Sequence, residues 1–185
     1  MTMIAIIVLA VLLLYFVAVY NNLVRKNNQV SNAFGTIDAM LKKRFDLLPN
    51  LVATVQQYAQ HESATLSKLT ELRTKSYNTM TTEEKAAFDQ AFSQARRNFF
   101  MVAENYPDLK ASANFLQLQR TLNETEEQLA ASRRTYNACV TDYNNSVMTF
   151  PSNIVAGIVN FKTKEVLTIP EEERAVPNVK NLFNS

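Results

Sequence analysis

Twelve polar side chains have the types that do chemistry between helices: Asp38, Arg44, Asp46, Asn50, His61, Glu62, Glu104, Asn105, Arg133, Arg134, Tyr136 and Asn137. Carboxylates and guanidinium groups in a bundle interior can hold a divalent metal, move a proton, or fix helix register by requiring each other as partners. The metal version would use Asp38, Asp46, Glu62 and Glu104, but the Glu-x-x-His pairs of such centres are absent, and Glu104 has no His three residues on. His61-Glu62 opens like a zincin motif, yet the chain holds one His in all. One Cys cannot close an internal disulfide, and two Gly provide no phosphate-cradling loop. Nineteen basic against seventeen acidic residues, a formal charge of +2, is too balanced for a nucleic-acid binder. The expectation is therefore no catalytic residue, no cofactor and no metal. The polar set is read as buried structural pairs or as a partner surface.

The elements that must position these residues begin with an anchor. Met3 to Tyr20 is an eighteen-residue run without charge, Gly, Pro or amide. At ~1.5 Å of rise per residue it spans about 27 Å, close to the hydrocarbon thickness of a bilayer. Arg25, Lys26 and the cluster Lys42 to Arg44 follow it, so the positive-inside rule predicts the N-terminus outside and the rest in the cytoplasm of an inner-membrane protein. Next, Phe34, Leu41, Leu48, Val55 and Leu69 recur at sevens, Glu62 being the one polar exception, with Ile37, Leu51, Tyr58 and Leu72 three residues on. That period predicts one long amphipathic helix from Asn21 to Tyr77, kinked near Leu48 by Pro49.

Thr81-x-x-Glu84 has the form of a capping box and predicts a second helix, with Phe88, Phe92, Ala95, Phe99 and Val102 on one face, ending before Pro107. A third starts near Ser112, where Phe115, Leu122, Leu129, Tyr136, Tyr143 and Phe150 fall at sevens beside Leu118, Thr125, Ser132, Cys139 and Ser146. The aromatics should fill the centre and Cys139 should be a packing residue. Pro151-Ser152-Asn153 then opens a short apolar fourth helix, Ile154 to Phe161, that either caps the core or meets a membrane or partner. From Lys162, Pro170, Pro177 and the run Glu171 to Arg174 predict an extended or mobile tail. The fold class is all-α. An N-terminal transmembrane helix over 1–24 continues into an elongated antiparallel up-and-down helical bundle over 25–161, three long helices plus a short fourth, followed by the tail 162–185. Leu23, Val24 and Val30, on a stem beyond the reach of the shorter helices, are expected to lack intrachain partners and to favour a homo-oligomer.

The segment YNNLVRKNNQVSNAFGTIDAMLKKRFDLLPNLVATVQQYAQHE, Tyr20 to Glu62, resembles the signature region of the LemA family. ENYPDLKASANFLQLQ and RRTYNACVTDYNNSVMTFPSNIVA resemble its second half, in the same order. The resemblance implies a single-pass bacterial membrane protein with a helical bundle and no established catalytic activity. Relatives among magnetosome membrane proteins imply a membrane-organising role. Two functions follow from residues and resemblance together. One is a non-enzymatic scaffold or adaptor, anchored in the bilayer through 3–24, that binds itself or another membrane protein. The other is an accessory subunit or metal-dependent enzyme with a carboxylate site in the bundle.

Overall fold

The computed structural model describes residues 1–167, and among these there are helices and no strands. The helices are α1 (Thr2–Tyr58), α2 (Ser63–Glu71), α3 (Thr82–Glu104), α4 (Pro107–Ala111), α5 (Ala113–Met148) and α6 (Ser152–Val159), with a 3-10 turn at Tyr77–Thr79. They build two compact units, one from residues 1–35 with 130 onward, the other from 36–129, and α1 and α5 contribute to both.

In the unit 36–129, α1 brings Leu48, Leu51 and Val55, α3 brings Phe88, Phe92, Ala95 and Phe99, and α5 brings Phe115, Leu118 and Leu122 into one apolar core. Pro49 lies within α1 and does not end it. The start of α3 is the expected capping box: the Thr81 hydroxyl accepts from the Glu84 amide at 3.2 Å, and the Thr81 amide donates to the Glu84 carboxylate at 2.9 Å. Pro107 sits in the first turn of α4, where its missing N–H would have no helical partner.

The expected helix to Tyr77 stops instead at Tyr58, because Glu62 falls on the apolar row. Continuing the helix would press a carboxylate into the core. The chain turns at Gln60 and His61, Glu62 accepts a hydrogen bond from the Tyr106 hydroxyl at 3.3 Å, and the apolar row resumes on α2 with buried Leu69.

In the unit 1–35 with 130–167, the stem residues also depart from expectation. Leu23 is 0 % exposed, packed on Val155 and Ala156 of α6, and Val30 is 2 % exposed, packed on Val140 and Tyr143 of α5. The short helix returns to the stem and covers Leu23, and α5 covers Val30, so these two residues have intrachain partners and are no self-association surface. Phe150 is another correction: it lies past the end of α5 and is 75 % exposed, so the aromatic row fills the centre only as far as Tyr143. Asn160, with φ of 63°, ends α6 in the left-handed conformation, and the Phe161 amide donates back to the Ala156 carbonyl at 2.9 Å.

None of the apolar window of α1 is buried, and its length and composition suit a membrane span. Residues 162–167 are neither helix nor strand. The rest of the expected tail, with Pro170, Pro177 and Glu171 to Arg174, lies outside the described residues.

Candidate functional site

The unit 36–129 gathers charge around Arg44. Its side chain is 1 % exposed, and its guanidinium bridges Asp89 on α3 and Glu126 on α5 while lying 5.4 Å from the centroid of the Phe92 ring. Arg96, also on α3, brings its Nε to 3.6 Å from Glu126. Two cations meet two anions across three helices. Such a group ties helices together by charge pairing, while the buried Arg96 Nε and Glu126 Oε1 approach each other without a hydrogen bond.

A second cluster stands on Asp38. The Tyr77 hydroxyl donates to its carboxylate at 2.8 Å and to its backbone carbonyl at 3.0 Å, and Lys85 donates to the same carboxylate at 2.7 Å. The Lys85 hydrogen bond holds the Asp38 carboxyl below the usual aspartate range, with the Tyr77 bond adding to it against the opposing effect of burial. Burial, then the Asp38 carboxylate, pushes the Tyr77 phenol up, so it is a neutral donor. A raised folded pKa means that the Tyr77 contribution is full below the unfolded tyrosine value and falls as pH rises past it. The depressed Asp38 contributes above the unfolded aspartate value and is lost on acidification.

The remaining candidates do not join these clusters. Asp46 is 57 % exposed at its side chain and forms an i,i+4 ion pair with Lys42, so it belongs to the surface. Asn50 and His61 are exposed, and Glu104, also exposed, faces Lys110 at 3.6 Å. Asn105 is an exposed cap of α3, Arg133 is buried, and Arg134 is exposed. Among the described residues no group of three or more His, Cys, Asp or Glu could hold a metal ion, so the set Asp38, Asp46, Glu62 and Glu104 is not assembled.

Tyr136 and Asn137 act in the other unit, together with residues that the sequence reading passed over. The Asn137 side-chain amide donates to the Leu167 carbonyl at 2.8 Å and accepts from the Leu167 amide at 2.8 Å. Asn144 does the same with Lys164, at 2.8 and 2.9 Å. Tyr143 and Tyr136 donate to the carbonyls of Lys162 and Glu165, at 2.9 and 3.4 Å. The geometry explains the match: seven residues of helix rise about 10.5 Å, and three residues of extended chain cover about 10 Å. The repeated Tyr-Asn pair thus grips an extended segment through its backbone, whatever its side chains. The readable signal was that repeat at a spacing of seven.

The model of the LemA family matches residues 33–181. The chain belongs to the LemA family. It is 32% identical to Protein LemA of Metamycoplasma hominis over 184 residues, covering 96% of this chain and 82% of that one. It is also 31% identical over 77 residues to Magnetosome protein MamQ 1 and Magnetosome protein MamQ 2 of Paramagnetospirillum magneticum, covering 42% of this chain and 28% of each relative. The LemA match contains both charge clusters and both Tyr-Asn pairs.

Proposed function

We propose that the chain is a membrane-anchored, non-enzymatic scaffold or adaptor that binds another membrane protein or a second copy of itself. The observation that carries this reading is where the polar groups are used. Arg44, Asp38 and Asn137 are engaged within the chain, in arrangements that tie helices and backbone together. What faces outward between α2 and α3 is a groove of about 520 Å³ with Leu72, Met80 and Phe88 among its lining and Lys68, Glu71 and Lys75 at its edge. An apolar floor with a charged margin is the usual anatomy of a protein-binding surface. Similarity to proteins named as magnetosome proteins favours an organising part over a metabolic one. The bulk of the chain is assigned to the cytoplasmic side, because Arg25, Lys26, Lys42 and Lys43 follow the span.

A photo-cross-linking residue placed at Ala91, exposed in the groove lining, tests the partner surface in native membranes. Discrete adducts are expected, and Ala87→Arg, also exposed there, should abolish them. No adduct despite confirmed incorporation, or adducts indifferent to Ala87→Arg, would count against the groove as the binding surface.

A further inference from the structure

Helix α6 has two apolar faces and the unit has only one core for it. Val155 and Ala156 point into that core against Leu23, with Phe16 and Val19 of α1 packed beside them. The opposite face carries Ile154 and Ile158, 55 and 69 % exposed, and Phe150 precedes it, exposed as well. A water-facing helix of a soluble domain would carry polar residues at those positions.

The depth of α6 along α1 identifies what covers them. Phe16 and Val19 lie inside the apolar run Met3 to Tyr20, and the Tyr20 ring stands 6.3 Å from that of Phe161, just past α6. Whatever surrounds the end of the span therefore surrounds α6. Charge distribution marks the same level. From Tyr143 to Phe161 no residue is charged, and none of residues 1–24 carries a charged side chain. The charges begin with Arg25 and Lys26 on α1 and with Asp142 on α5, and Lys26 and Asp142 form an ion pair at 2.7 Å, with Lys26 also donating to Ser146 at 2.8 Å. That pair sits at the boundary shared by both elements, polar on one side and uncharged on the other.

We propose that α6 is a second membrane-contacting element, lying in the bilayer interface beside the span with Phe150, Ile154 and Ile158 in contact with lipid. Interfacial helices bury an apolar face ~5–10 Å into the headgroup and acyl boundary, and the outer apolar face of α6 stands at that level. The arrangement gives the protein two points of contact with the bilayer and fixes the direction in which the stem leaves it.

The chain contains no Trp, so a single introduced indole reports alone. Ile158→Trp, and separately Ile154→Trp, in the full-length protein reconstituted in vesicles should show blue-shifted emission. Lipids brominated high on the acyl chain should quench it roughly twofold, as expected at that depth. Val166→Trp is the control. Val166 is exposed on the segment held by Tyr136, whose ring lies 6.0 Å from that of Phe34, fourteen residues or about 20 Å beyond the end of the apolar run. It should stay red-shifted and unquenched. Water-like emission from both α6 variants would overturn the proposal. So would blue-shifted emission that brominated lipid fails to quench, which would mean that protein covers the face.

Discussion

Arg44→Ala should lower the stability of the unit 36–129 by about 3 kcal/mol, because it leaves Asp89 and Glu126 facing each other without their shared guanidinium. The lower end of the range for a broken buried ion pair applies, since the two carboxylates keep 16 and 25 % of their side chains exposed. The lost packing of the guanidinium on the Phe92 ring acts in the same direction. Arg44→Lys should recover part of the loss, as one ammonium cannot bridge both acids with the planar fork that Arg presents. Asp46→Ala, in an exposed ion pair two residues away, should change stability by no more than about 0.5 kcal/mol. Urea unfolding followed by circular dichroism gives all three values, and equal losses for Arg44→Ala and Asp46→Ala would refute the network as the clasp of α1, α3 and α5.

Removing Asn137 and Asn144 together should release the segment 162–167 from α5. Each side chain makes two hydrogen bonds to one backbone unit, and four bonds at a net of about 0.5–1.5 kcal/mol each are lost in Asn137→Ala with Asn144→Ala. Taking 2–4 kcal/mol for local opening, the amides of Lys164 and Leu167 should exchange with solvent about 30- to 1000-fold faster. The core around Phe92 and Phe99 should be unaffected, since it belongs to the other unit. Unchanged exchange at Lys164 and Leu167 would show that the Tyr hydroxyls alone suffice to hold the segment.

These two cases show which interactions can be read from one sequence. Local signals with fixed spacing were legible: the uncharged span, the Thr81 to Glu84 capping box, the stop before Pro107, and the α5 row from Phe115 to Tyr143. The Lys42–Asp46 pair is equally readable at a spacing of four, which places Asp46 in an exposed ion pair and not in the interior. What failed was long-range. Arg44 finds Asp89 forty-five residues on and Glu126 eighty-two residues on, and helical periodicity says nothing about which faces oppose. Glu62 was visible as an exception to the row, and its meaning as a chain turn came only with its partner Tyr106. The stem residues Leu23 and Val30 also rest on long-range contacts: Val30 meets Val140 and Tyr143 of α5, and Leu23 meets α6, whose return onto α1 depends on the chain reversal at Thr149 to Pro151, which leaves no periodic trace.

The claim on which the rest depends is that residues 3–20 cross the bilayer and leave the rest of the chain on the cytoplasmic side. Protease added to intact spheroplasts and to inverted membrane vesicles, followed by alkaline carbonate extraction, tests it in one measurement. The account predicts that the chain survives intact in spheroplasts, is trimmed in inverted vesicles, and leaves an N-terminal fragment in the carbonate-washed membrane. Digestion from the outside of spheroplasts would reverse the orientation, and release of the full-length chain by carbonate would contradict the anchor itself.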